Sequence, residues 1–250
     1  MNFLKKILPN KLKQIILKVL NEHNHPKLIL FKHYINKKYF TGNGLEIGPG
    51  DFPFSSSKNT ILLDKYTESR KNQFEYLSGD ADDIPVNDSE FDFLVTAHCL
   101  EHCINPIKTI NEFIRVTKNG GIIFIMLPHC ERTFDKGREI SKLDKHIYDF
   151  ENDVNENDYI KREGRYSHLM DEFLKITCDP YNHPWEKDAK NGDGTWNKKW
   201  IIDNGCFHFH VWTQDQIVSL LKYLSCKIFL VIDKMPGRDD TFIVAAEVSK

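Results

Sequence analysis

Short apolar runs alternate with helical patterns through the first half of the chain. Four runs are typical of strands buried on both faces of a sheet, because each is short and mostly apolar. They occupy residues 44–48, 60–64, 91–96 and 121–127. Between the last two, apolar residues at helical spacing predict a helix that ends at the Asn-Gly-Gly of residues 119–121. Strands alternating with helices need crossover connections, so the pattern predicts a doubly wound α/β sheet.

The second half of the chain has a different pattern. Residues 129–207 are polar and lack a strand rhythm, which predicts an inserted substrate-binding lid. After Thr213, the expected N-cap, a helix is predicted to residue 224, and runs at 227–233 and 241–248 predict an antiparallel hairpin. The pattern therefore divides the chain into four parts. Residues 1–40 form an N-terminal helical segment and residues 41–128 form the core. Residues 129–212 form the insertion, and residues 213–250 complete the core.

Composition and charge narrow the class of protein. A chain of 250 residues with 40% hydrophobic residues can bury one α/β core. The formal net charge of -2, from 34 basic and 36 acidic residues, argues against nucleic acid as a partner. The six cysteines are scattered without a C-x-x-C pair, which is typical of free thiols in a reducing cytosol and predicts a cytoplasmic protein. None of these features predicts an oligomeric state.

The N-terminal 20 residues combine lysines with apolar residues. They contain no long apolar core, so they predict neither a signal peptide nor a spanning helix. Residues 11–20 have helical spacing with lysines on the opposite face. This helix either packs on the domain, which is the more common case, or makes peripheral contact with an anionic membrane surface.

The stretch "HCLEHC" at residues 98–103 pairs two histidines and two cysteines at a spacing of four. That spacing allows a zinc cluster. The alternative, which we favour, is the start of a helix that carries two small buried thiols.

A glycine turn follows the first strand. Gly48-Pro49-Gly50 lets the backbone approach a ligand closely at the carboxyl edge of the sheet, which predicts a site for a nucleotide-like ligand. Asp64 ends the second strand, where a carboxylate can accept hydrogen bonds from ribose hydroxyls. The third glycine of the dinucleotide fingerprint is absent, because position 53 is proline.

Five motifs in order resemble the class I S-adenosylmethionine-dependent methyltransferases. They are "LEIGPG", "LLD", "GDADDIPVNDSEFD", "LEH" and "NGGIIFIMLP", and they cover about residues 43–128. The resemblance implies a Rossmann-like, mostly parallel seven-stranded sheet with an antiparallel last strand, and S-adenosylmethionine as cofactor. It also implies which residues contact each part of that cofactor. The methionine part and the ribose would lie by Glu46, Gly48, Pro49 and Gly50, and the ribose hydroxyls would be held by Asp64. The adenine would be held by Asp80 and Ala81, and His98 would close near the sulfonium.

The second half shows a looser resemblance. Residues 127–150 and 208–221 resemble methyltransferases of bacterial surface-carbohydrate and sugar-nucleotide modification. The resemblance implies O-methylation of a small carbohydrate, a sugar nucleotide or a phosphorylated precursor in the biosynthesis of capsule or lipopolysaccharide.

A hydroxyl acceptor needs a base, and three histidines are candidates. His129 follows the fifth strand, while His208 and His210 are two apart and would face one cleft in an extended segment. Together with Asp135 these histidines could instead bind a divalent metal. For the acceptor we predict phosphate contacts from Arg132 and Arg138, a polar contact from Asp135 and stacking on Trp212.

Two other functions stay open at this point. One is an NAD(P)-dependent oxidoreductase, which the missing third glycine and the "GDADDIP" element disfavour. The other is a non-catalytic S-adenosylmethionine-binding partner of another subunit.

Overall fold

A computed structural model describes residues 25–69, 74–178, 183 and 185–250. The helix expected at residues 11–20 lies outside them. The strands are β1 Gly44–Ile47, β2 Thr60–Asp64, β3 Tyr76–Ser78, β4 Phe91–Ala97, β5 Thr117–Pro128, β6 Lys227–Ile232 and β7 Thr241–Glu247. The α-helices are α1 Pro26–Tyr39, α2 Pro106–Val116, α3 Leu143–Glu151, α4 Asn157–Ile160, α5 Ser167–Phe173, α6 Lys198–Asp203 and α7 Gln214–Tyr223.

The strands form one sheet in the order β3-β2-β1-β4-β5-β7-β6. Pairs from β3 to β5 are parallel, and β7 is antiparallel to both of its neighbours. The predicted doubly wound sheet with an antiparallel last strand is thus confirmed. The strand order reverses between β1 and β4, and ligands bind at such a switch point in open α/β sheets.

Two features of the sheet differ from the prediction. Strand β3 has only three residues, none of them buried, so no apolar run announces it. Helix α2 ends at Val116, and β5 begins at once. The partner of Phe91 is Thr117 and that of Phe93 is Ile122, so Lys118–Gly121 bulges out within β5. The glycines at 120 and 121 therefore serve the bulge, where Gly120 has a φ of 75°, rather than the end of the helix.

The insertion has a hydrophobic core of its own. Helices α4, α5 and α6 contribute buried residues to one cluster, which includes Tyr159, Met170, Phe173, Ile201 and Phe207. The extended segment at residues 207–211 connects this cluster to the sheet, since the amide of Cys130 donates to Trp212 O at 3.0 Å. The insertion thereby covers the carboxyl edge of the parallel strands. Among the described residues, no helix is both long and apolar enough to cross a membrane.

Candidate functional site

A cavity of about 660 Å³ lies at the carboxyl ends of β1 to β4. Its volume is within the range of roughly 300–1,000 Å³ that is typical of small-molecule sites. One part of its wall, the cofactor side, consists of Gly48, Gly50, Asp64, Asp80 and Ala81. The opposite part, the histidine side, consists of His98, His102, Ile104, Phe207 and Phe209.

The glycine turn on the cofactor side depends on the absence of side chains. Gly48 and Gly50 have φ angles of 62° and 58°, in the left-handed region that favours glycine. A Cβ atom on Gly48 would lie 2.7 Å from Cys99 Sγ. The turn therefore brings backbone directly to the cavity, as a ligand approached by main chain requires.

Glu46 holds the loop that follows this turn. Its two carboxylate oxygens accept hydrogen bonds from the amides of Phe54 and Ser55, at 2.6 and 2.8 Å. Burial raises the pKa of Glu46 to about 7, against the opposing effect of these hydrogen bonds and of Lys32. Neither Glu46 nor Pro49 lines the cavity. The structure thus gives Glu46 a role in holding the loop, whereas the sequence resemblance implied a position beside the ligand.

Asp64 and Asp80 stand at the ends of neighbouring strands. Asp64 is 2% exposed, and its Oδ1 accepts a hydrogen bond from the amide of Tyr66 at 2.8 Å. Asp80 accepts a hydrogen bond from the amide of Ala81 at 2.8 Å and pairs with Lys65 at 2.6 Å. Since the Lys65–Asp80 pair is half-exposed, a ligand can displace it at little cost.

The cavity wall is acidic. Five carboxylates and one lysine line it among the described residues: Asp64, Asp80, Asp82, Glu156, Asp203 and Lys65. Such a wall favours a cationic or neutral ligand over a multiply charged phosphate.

The histidine side depends on a turn directly after β4. His98 has a φ of 52° and its Nε2 lies 2.9 Å from Thr241 Oγ1. Glu101 is fully buried, and its Oε1 lies 3.5 Å from His98 Nδ1. His102 Nδ1 donates to the carbonyl of Phe207 at 3.0 Å, because a carbonyl oxygen can only accept. Burial and the neighbouring His208 lower the pKa of His102 to about 4, so its ring is neutral at pH 7.

Behind this turn lies a buried charge network. Asp135 accepts a hydrogen bond from Arg138 at 2.6 Å and contacts His208 Nδ1 at 2.6 Å. Burial raises the pKa of Asp135, but His208 and Arg138 outweigh it and hold the pKa at about 2. The guanidinium of Arg138 also donates to the carbonyl of His208 and packs over the rings of Phe173 and Phe207. Asp135 and Arg138 therefore support His208, and their contact with an acceptor stays a prediction.

His208 and His210 do not share one cleft. The segment is extended, but the two odd-numbered phenylalanines face the cavity. His208 turns toward His102, with ring centroids 4.7 Å apart. His210 is 1% exposed and its Nε2 donates to the carbonyl of Ile104 at 2.9 Å. It contacts His146, which stacks on Trp212. Trp212 is 1% exposed and belongs to the core, so neither it nor His210 reaches an acceptor.

His129 and Arg132 also lie away from the cavity wall. His129 Nδ1 accepts a hydrogen bond from the amide of Glu131 at 3.1 Å and so caps the turn after β5. Arg132 pairs with Asp233 at 3.0 Å. The chain joins Trp212 directly after Pro128, and this places His129, a predicted candidate for the base, outside the cavity wall.

Comparison with known proteins adds an independent finding. Residues 55–125 match the family model described as a methyltransferase domain. This segment is therefore similar to methyltransferase domains. A solved structure of an S-adenosylmethionine-dependent methyltransferase from Thermotoga maritima aligns with a TM-score of 0.51 over 96% of this chain and 97% of that one, at 13% identity, which shows the shared fold. The predicted methyltransferase domain and fold are thus confirmed, and S-adenosylmethionine is the cofactor that they imply.

Curated relatives match this chain over part of its length. An uncharacterized protein of Methanocaldococcus jannaschii is 34% identical over 112 residues, which are 43% of this chain and 55% of that protein. Ajmaline N-methyltransferase of Rauvolfia serpentina is 38% identical over 64 residues, 26% of this chain and 22% of the relative. The chain thus spans about half or less of the length of these relatives.

Sequence reasoning missed several residues of the site. Glu101 stands between the two histidines of "HCLEHC", and the spacing of four between those histidines does not include it. Phe207 and Phe209 alternate with the two histidines that were singled out. In an extended segment alternation shows which residues share a face, but not which face meets the cavity.

Proposed function

We propose that this protein transfers a methyl group from S-adenosylmethionine to a hydroxyl of a small carbohydrate, a sugar nucleotide or a phosphorylated precursor, in bacterial surface-polysaccharide biosynthesis. The observation that carries the methyl-transfer part is the cavity at the switch point of the sheet, where the glycine turn and Asp64 face the same space. We also propose a cytoplasmic location, which the six free cysteines support.

The residues of the cofactor side fit the proposed cofactor. Its sulfonium is positively charged, which suits an acidic wall, and its ribose offers two hydroxyls to a carboxylate such as Asp64. When bound, S-adenosylmethionine supplies a methyl group on a positively charged sulfur. The backbone at Gly48 and Gly50 leaves room for that ligand.

Methyl transfer forms a bond between the acceptor oxygen and the methyl carbon. The sulfur–carbon bond breaks, the sulfur keeps the electron pair and the hydroxyl proton leaves to a base. Positioning contributes most of the catalysis in such a displacement. His98 and His102 are the imidazoles that line the cavity among the described residues, so they replace His129 and His210 as candidates for the base.

The acceptor class rests on the histidine side. Phe207 and Phe209 offer apolar rings to the face of a sugar. Arg132 and Arg138 already pair with Asp233 and Asp135, and the cavity wall is acidic. Unless a cation is bound, this arrangement favours uncharged sugars over phosphorylated ones.

The test is a transfer assay with S-adenosylmethionine, in which released S-adenosylhomocysteine is measured for free sugars, sugar nucleotides and phosphorylated sugars. We expect at least one sugar to raise the release above the rate without acceptor, and Asp64→Ala to abolish the increase. Release with amine acceptors and with none of the sugars would contradict the proposed acceptor class.

A further inference from the structure

Three potential metal ligands converge at the wall of the cavity. The ligand atoms of Glu101, His102 and His208 all lie within 4.8 Å of one another. The fold brings them together because the amide of Phe209 donates to the backbone carbonyl of Glu101 at 2.8 Å, which pins the turn after β4 against the insertion. His102 lines the cavity, so the cluster borders the space where the acceptor is proposed to bind.

In both imidazoles one ring nitrogen already has a hydrogen-bond partner and the other is left to bind a metal. His102 Nδ1 donates to the carbonyl of Phe207, and His208 Nδ1 donates to the carboxylate of Asp135. Because Nδ1 makes this hydrogen bond in each ring, Nε2 is the nitrogen that remains for a metal. Metal-binding histidines are held in the same way, by a hydrogen bond from the other ring nitrogen to a carbonyl or carboxylate.

Glu101 is a buried carboxylate with unused capacity. It is 0% exposed, and within the described parts of the chain neither of its oxygens has a hydrogen-bond donor. The ring of His98, 3.5 Å away, is its nearest ion-pair contact. A buried carboxylate whose only cationic contact is a histidine ring 3.5 Å away has unused ligand capacity, so a metal cation would complete its contacts.

We propose that Glu101, His102 and His208 bind a divalent first-row transition metal. Two imidazoles and one carboxylate suit Mn²⁺, Fe²⁺ or Zn²⁺, whereas Mg²⁺ and Ca²⁺ prefer oxygen ligands alone. Neighbouring ligands on such an ion lie about 3.4 Å apart, so binding draws the ligand atoms together by up to about 1.4 Å. Its role, which rests on the proposed function, is to hold the acceptor oxygen and to favour loss of its proton. With His102 bound to the metal, His98 is the candidate that accepts this proton.

A second cluster provides an internal comparison. His146, Asp149 and His210 also lie within 4.8 Å of one another and are fully buried. The carboxylate of Asp149 is already engaged, by Lys145 at 2.6 Å and by the hydroxyl of Tyr166 at 2.5 Å. We therefore assign no metal to this cluster.

The experiment is calorimetric titration of the metal-free protein with Zn²⁺ and with Mn²⁺, in the absence of any methyl donor. Glu101→Gln keeps the shape and removes the anionic ligand, and His102→Gln removes a ligand at the cavity wall. Matched controls are Asp149→Asn in the second cluster and His129→Gln outside the cavity. Circular dichroism and binding of S-adenosylhomocysteine report whether each variant is folded.

We expect one metal ion per chain, an affinity at least about a hundredfold weaker in both ligand variants, and no change in the controls. A wild-type protein that binds neither metal, or binding that survives both ligand variants, would overturn the assignment, as would binding lost only in Asp149→Asn. If the protein binds S-adenosylhomocysteine but binds neither metal, the metal site is contradicted and the proposed function is not affected. Metal binding without S-adenosylhomocysteine binding would instead count against the proposed function.

Discussion

The two sides of the cavity are built in different ways. The cofactor side consists of residues that lie close together in the chain, and it uses backbone turns and carboxylates at strand ends: Gly48, Gly50, Asp64, Asp80 and Ala81. The histidine side joins the turn after β4 to Phe207 and Phe209, more than a hundred residues away. It depends on buried charges that fix the orientation of rings. Local backbone geometry therefore determines the cofactor side, and long-range packing determines the histidine side. Substitutions in the two sides should therefore have different effects on stability and ligand binding.

The largest effect is expected at the glycine turn. Gly48→Ala forces a side chain into left-handed backbone and against Cys99, which together cost about 2–5 kcal/mol of unfolding free energy. We also expect binding of S-adenosylhomocysteine to be lost. The matched control is Gly192→Ala, whose Cβ would meet nothing within 4 Å. Thermal unfolding and calorimetry measure both quantities, and equal behaviour of the two variants would show that the turn is not constrained.

The next effect separates buried from exposed charges. Asp135→Asn breaks the buried contacts to Arg138 and His208, and we expect unfolding free energy to fall by about 3–5 kcal/mol. Asp233→Asn removes the exposed partner of Arg132 and should change little. Urea unfolding of both variants measures the contrast. A small loss for Asp135→Asn would mean that the network does not hold the histidine side together.

The pH dependence of the unfolding free energy tests whether buried His146 is neutral in the folded protein. Burial lowers the pKa of His146 to about 3 from 6.5, so its contribution to stability is present above pH 6.5 and is lost as pH falls toward 3. His146→Phe keeps a ring against Trp212 and removes the titration. Below pH 6.5 the wild type should lose about 1.4 kcal/mol per pH unit more than the variant. Urea unfolding between pH 7 and pH 5 gives the two slopes, and parallel slopes would contradict a neutral buried ring.

The smallest effect is expected at His129. His129→Gln removes a side-chain cap and should lower the unfolding free energy by about 0.5–1 kcal/mol. Because the ring lies outside the cavity wall, binding of S-adenosylhomocysteine should not change. A large loss of S-adenosylhomocysteine binding in calorimetry would instead show that His129 belongs to the binding site.

The sequence predicted most of the sheet because buried parallel strands leave continuous apolar runs. Strand β3 escaped because its three residues are not buried, and the bulge at residues 118–121 escaped because a glycine pair marks a bulge and a helix end alike. Six of the eight residues expected around the cofactor line the cavity, all but Glu46 and Pro49. These positions follow strand ends, where short-range pattern determines location.

The histidine side could not be predicted in the same way. Its residues are joined by contacts such as the one between Asp135 and His208, 73 residues apart. The pattern of residues 129–212 gives no strand or long helix to place them. The sequence identified Arg138 and Asp135 as notable polar residues, but only packing shows that they pair with each other and with His208 instead of meeting a ligand.

The central claim is that the cofactor side binds an S-adenosylmethionine-type ligand through Asp64. Calorimetric titration of the protein with S-adenosylhomocysteine, with NAD as control, tests it most directly when repeated on Asp64→Ala. We predict saturable binding of S-adenosylhomocysteine alone, weakened about a hundredfold in the variant because two charge-assisted hydrogen bonds are lost. Binding of NAD instead, or equal S-adenosylhomocysteine affinity in both proteins, would contradict the account.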